Sequence, residues 1–127
     1  MPATFDEISW DESTRYFQSY FATVDTLNTA KHKMETLAQR ATDPENFSKY
    51  AATALRISGD LELLKNKRRA FLSNKSSINP PSETVVANLV ALSKKVGGLA
   101  ATTAAVNNIL KAVTDAVGKF NKIQTDA

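Results

Sequence analysis

Apolar positions recur along the chain at helical spacing in three long segments. Nowhere do they alternate with the two-residue period of a strand. In the first segment Phe17, Tyr20, Phe21, Val24, Leu27, Ala30, Met34, Leu37, Ala38 and Ala41 step mostly by three and four. That predicts an amphipathic helix sustained to about residue 41. Its start is marked twice, because Thr4 with Glu7 and Ser9 with Glu12 each fit the capping-box pattern. Asp6, Glu7, Asp11 and Glu12 crowd the same end, where the helix dipole favours negative charge.

Thr42-Asp43-Pro44-Glu45 ends this helix and opens the next, with a capping residue before a proline suited to the first helical position. So short a connection makes the two helices antiparallel neighbours. The second stripe runs Phe47, Tyr50, Ala51, Ala54, Ile57, Leu61, Leu64 and then Phe71 or Leu72. Two prolines and small polar residues between Ser73 and Ser82 cannot continue it. Pro80 or Pro81 is placed to open a third helix, whose stripe extends from Val85 through Leu89, Val96, Val106, Leu110, Val113 and Phe120 to Ile123. Most of its steps alternate three and four, a heptad-like seam, with Gly97-Gly98 as a potential kink. The expectation is an all-α, elongated up-down-up three-helix bundle with coiled-coil-like packing. Its helices cover roughly 5–41, 44–72 and 81–123, with a loop over 73–80, in one domain spanning 1–127.

Composition narrows the chemistry. The 127 residues include no Cys and one His, which excludes disulfides, thiolate metal sites and cysteine nucleophiles and leaves no ordinary zinc ligand set. His32 lies between Lys31 and Lys33 with Glu35 three residues on, a single pair in a charge run. No phosphate-cradling loop, dinucleotide fingerprint or nucleophile elbow occurs. No carboxylate pair sits in an apolar setting that would raise a pKa for acid catalysis. No catalytic residue, cofactor site or metal site is assigned, no small-molecule substrate is predicted, and the expectation is a protein that is not an enzyme. The N-terminus shows no secretory signal, and no apolar run approaches the length of a membrane span. A cytoplasmic protein, or one exported by a signal-less route, is expected.

Three features bear on partners. First, residues 96–110 carry no charge and are rich in small side chains. Small residues four apart allow close helix approach, so Val96, Gly97, Ala101, Ala105, Val106 and Leu110 form a candidate interaction face. A core helix, a self-association seam over residues 85–117 and a membrane-inserting segment remain alternatives. Second, residues 1–64 hold 6 basic and 10 acidic side chains, whereas 65–127 hold 10 and 3. Lys65, Lys67, Arg68, Arg69 and Lys75 form a candidate patch for an anionic partner. Anionic lipid fits that patch; nucleic acid fits less well, since no recognised binding motif accompanies it. Third, Trp10, Tyr16, Phe17, Tyr20 and Phe21 exceed one core stripe. Trp10 and Tyr16 are placed on a different side from Phe21, and Trp10, Tyr16 and Tyr20 form a candidate aromatic edge. The function expected is protein–protein interaction or self-assembly, with a homo-oligomer or a protein partner. A membrane-active protein and a nucleic-acid accessory are the alternatives.

Overall fold

A computed structural model describes residues 2–125. Its helices are α1 (Trp10–Arg40), α2 (Pro44–Leu72), α3 (Glu83–Gly98) and α4 (Val106–Ile123). Single 3-10 turns over Phe5–Glu7 and Thr103–Ala105 precede α1 and α4. The described chain is helical without strands, as the periodicity predicts. There are four helices where three were expected, because the segment read as one helix over 81–123 is two.

Local sequence accounts for each start. Both capping boxes form. Glu7 accepts from the Thr4 N–H at 2.8 Å but starts only the short turn. Ser9 and Glu12 exchange bonds of 3.2 and 2.9 Å and open α1. The backbone N–H of Thr4 and of Ser9, respectively, holds Glu7 and Glu12 below the ordinary carboxylate value. Asp43 caps α2 through the Asn46 N–H at 3.1 Å, with Pro44 at the first helical position. Ser82 caps α3 through Val85, so the two prolines precede the helix and do not open it.

The ends are equally explicit. At the foot of α2, Asn74 takes φ 58°, the left-handed conformation that asparagine tolerates. The Asn74 N–H bonds the Phe71 carbonyl and the Lys75 N–H bonds the Ala70 carbonyl, the paired bonds of a Schellman cap. The α3 helix stops at Gly97-Gly98, and Leu99 turns extended at φ −83°, ψ 132°. Each glycine costs up to about 1 kcal/mol in a helix interior. A continuous 81–123 helix would also run ~64 Å against ~46 Å for α1, carrying its apolar face beyond anything to bury it. Breaking there folds α4 back, so that Ile109, Ala112, Val113, Ala116 and Phe120 reach the core. Cations of α1 satisfy the freed carbonyls. Lys33 Nζ donates to those of Gly97 and Leu99, and Arg40 reaches that of Ala101 at 3.5 Å.

Contacts fix the topology as up-down-up-down. Arg15 Nε donates to the Pro81 carbonyl at 2.9 Å, the Ser93 hydroxyl bonds Asp25, and Lys33 meets the end of α3. Helices α1 and α3 therefore run side by side in the same direction. The Tyr16 ring, near the start of α1, lies 4.3 Å from that of Phe71, tilted 43° to it, and 5.8 Å from that of Phe120, so α2 and α4 both return to that end. Helix α1 packs against all three others, and the core follows it through Leu27, Ala30 and Met34 against Ile57, Leu61, Leu64, Leu89 and Val96.

A polar clamp closes the end where Tyr16 lies. Gln124, fully buried, accepts the Tyr16 hydroxyl at 2.7 Å. Its Nε2 donates to the Lys67 carbonyl at 2.7 Å and the Ser76 hydroxyl at 2.9 Å. The Lys67 ammonium donates to Asn121 Oδ1 and the Gln124 carbonyl at 2.7 and 2.8 Å. Outside the clamp, Ala3 and Ile78 form an antiparallel bridge with two 2.8 Å bonds. Burial, reinforced by Tyr20, pushes the Tyr16 phenol well above its ordinary value of 10.0. A phenol raised on folding contributes stability that is intact below pH 10 and falls as pH rises beyond it. Tyr16→Phe should therefore cost about 1–2 kcal/mol at neutral pH, leaving a buried Gln124 oxygen unsatisfied. It should also flatten the alkaline decline. Urea unfolding from pH 7 to 11.5 measures both, and a wild-type slope retained in the variant would exclude this assignment.

Candidate functional site

The structure sorts the residues singled out from sequence into inside and outside. Val96 is fully buried, and Gly97 is exposed at the last turn of α3. Ala101 lies in the connecting turn and Ala105 in the 3-10 turn, while Val106 and Leu110 are half-buried at the start of α4. Residues 96–110 are thus no single helix, and the four-residue spacing of Gly97, Ala101 and Ala105 does not create a helix face. The uncharged stretch is the last turn of α3, the connection and the start of α4. Its bonds to Lys33 and Arg40 supply, from another element, the cations that the stretch lacks.

The basic cluster divides. Lys67 points inward to the clamp and is not available to a partner. Lys75 is exposed in the loop, and Arg69 is exposed on the last turns of α2. Lys65 is exposed and lies 3.6 Å from Glu62. The Arg68 guanidinium lies over the Tyr20 ring, 5.2 Å from its centroid. Its Nε is shielded from solvent and meets no acceptor among the described residues. Burial pushes the Tyr20 phenol up while Arg68 and Arg69 pull it back, so both guanidiniums act at that ring. The acidic start of α1 lies at the same end of the bundle. Among the described residues, however, the ion pairs are only His32–Glu35 and Lys65–Glu62, each within one helix.

The aromatic edge needs the largest correction. Tyr16 and Tyr20 are buried because they fall on the core side of α1. Trp10 is 83% exposed and Phe21 57%. These two are eleven residues apart, about three helical turns, so they share a face; the sequence-based placement on different sides is wrong for Trp10. Phe17 belongs to the same row, with its ring 6.5 Å from that of Phe21. The row Trp10, Thr14, Phe17, Phe21, Val24, Asn28 steps by four, three, four, three and four. It runs up the outer side of α1, with Thr14, Phe17 and Val24 half-buried and Asn28 exposed. On one flank an open groove of about 590 Å³ separates it from α3, lined by Phe21, Val24, Asp25, Val86, Val90 and Ser93. On the other flank lie Arg68 over Tyr20 and, beside Val24 and Asn28, Lys65.

Comparison with family models, with curated proteins and with solved structures finds no match to this chain. The surface must therefore be interpreted from its own chemistry. Phe17, Phe21 and Val86 fall in the core stripes read from sequence, and Val90 is in none of them. The signal that separates them is the second three-four row on α1, displaced from the row through Tyr16, Tyr20, Leu27 and Met34.

An outward aromatic row contributes little to folding. Trp10→Ala and Phe21→Ser should leave stability within about 0.5 kcal/mol of wild type, as for exposed positions generally. Tyr20→Ala should cost roughly 3–5 kcal/mol, as for a buried aromatic. Urea midpoints of the three variants decide this, and a large loss in either surface variant would return the row to the core.

Proposed function

We propose that this is a non-enzymatic helical-bundle protein that works by protein–protein contact through the outer face of α1. The observation that carries the proposal is the pair Trp10 and Phe21 exposed on one face of α1, with the half-buried Phe17 between them. Large aromatics in water cost free energy that only a covering surface recovers, and they are the side chains that dominate interface energetics. The flanking charges, Asp11 and Asp25 toward α3 and Lys65, Arg68 and Arg69 toward α2, give the face a polarity that orients a partner.

Self-association through residues 85–117 as a continuous seam loses its basis with the break after Gly98. Of that span, Val86, Val90 and Ser93 border the face proposed here. Membrane insertion of residues 96–110 loses its helix likewise, and among the described residues no helix is long and apolar enough to cross a membrane.

The test is a photoreactive phenylalanine analogue placed at position 21 and, as control, at position 108, exposed on α4. Irradiation of producing cells should give a discrete protein adduct from position 21 and none from position 108. No adduct from position 21, or adducts to lipid only, would remove the protein-contact function.

A further inference from the structure

We infer that the occupant of this face is a second copy of the chain, packed parallel on α1 about a twofold axis running along the aromatic row. This rests on the protein-contact function proposed above and names its partner.

The spacing of the row is that of a two-stranded seam. Trp10, Phe17 and Val24 fall seven apart, and so do Thr14, Phe21 and Asn28. In heptad terms the first three are d positions and the second three are a positions. The seam is short and ends at Asn28, an exposed asparagine at an a position. A single asparagine there is a device that fixes register and strand number, because in a parallel pair it meets its own counterpart.

The charges select the same alignment. On the α3 side the flanking e positions are Asp11, Gln18, Asp25 and His32. On the α2 side the g positions are Ser13, Tyr20 and Leu27. Tyr20 and Leu27 are buried, and the surface there belongs to Arg68, which covers Tyr20, and to Lys65 and Lys31 with Glu62 beside them, a flank of net positive charge. In a parallel pair each g position faces the e position five residues further along the other helix. Arg68, standing over Tyr20, then faces Asp25 of the partner subunit, and the twofold axis makes the contact twice. Antiparallel packing would set the cationic flank against itself and the acidic flank against itself. Among the described residues, Arg68 carries an Nε–H without an acceptor, and Asp25 accepts only from the Ser93 hydroxyl. Among the described residues neither charge has a counter-charge in its own chain, and each finds one across the axis.

Light scattering behind size exclusion, over a wide concentration range, reads the prediction. The wild type should reach twice the 13.8 kDa chain mass and return to the single-chain mass on dilution. Phe21→Glu should be monomeric with unchanged helical circular dichroism; Trp10→Glu serves if that variant misfolds. Asp25→Arg and Arg68→Asp should each raise the dissociation constant about tenfold or more, through like-charge contact. The double variant should recover most of the loss. Because the chain has no cysteine, Asn28→Cys should form a covalent dimer on mild oxidation, and Asn108→Cys should not.

A single-chain mass at the highest concentration overturns the inference. If the position 21 adduct is then another protein, the contact function stands and only the second copy falls. If wild type then binds anionic phospholipid vesicles and Phe21→Glu does not, the face belongs to a membrane surface and both fall. A doubled mass without a disulfide in Asn28→Cys overturns the parallel alignment. A double charge variant no tighter than either single variant overturns the Arg68–Asp25 pairing.

Discussion

Gln124 spends its whole carboxamide inside the protein, on the Tyr16 hydroxyl, the Lys67 carbonyl and the Ser76 hydroxyl. Each of those groups would cost about 1–3 kcal/mol if buried without a partner. The bonds therefore hold together four parts of the chain that are remote in sequence: the start of α1, the end of α2, the connecting loop and the end of α4. Much of the topology follows from that requirement. Gln124 can reach Tyr16 only if α4 runs back toward the start of α1, and α4 can run back only if the third segment breaks. Gly97-Gly98 is where the break costs least, and Lys33 and Arg40 are placed to receive the carbonyls it frees. Closure of one end and the turn at the other are two aspects of one constraint.

The sequence was legible wherever a structural decision is local. Ser9 with Glu12, Asp43 with Pro44, and the polar run after Leu72 each fix an element boundary by bonds within a few residues, although α1 starts from the second of the two capping boxes and not near residue 5. The third segment was misjudged because its apolar period continues across the break. Leu99 and Val106 keep a heptad-like step although Leu99 lies past the end of α3 and Val106 opens α4. Nothing local shows that Lys33, more than sixty residues earlier, holds the Leu99 carbonyl. The apolar period reports which residues seek burial, not whether one helix carries them all.

The candidate surface was legible in its residue types and not in their directions. Of the five aromatics near the start of α1, Tyr16 and Tyr20 turn inward, Phe17 is half-buried, and Trp10 and Phe21 are exposed. Which of them turn outward depends on where α2 and α4 sit, and that is set by Phe71 and Phe120 meeting Tyr16. The basic cluster shows the same limit. Lys67 and Arg68 are adjacent in sequence, yet one is committed to Gln124 and Asn121 and the other lies over Tyr20 at the surface. A helix rotates about 100° per residue, which is enough to divide one charge run between a buried clamp and an open face.

Trp10 is the only tryptophan in the chain and stands almost wholly in water. Its indole meets nearly the same surroundings in the folded and unfolded states, so its emission is nearly blind to denaturation, which the buried Tyr16 and Tyr20 register instead. Any surface that covers the outer side of α1 must take the indole out of water. The protein thus carries an intrinsic optical probe that responds to contact and hardly to folding.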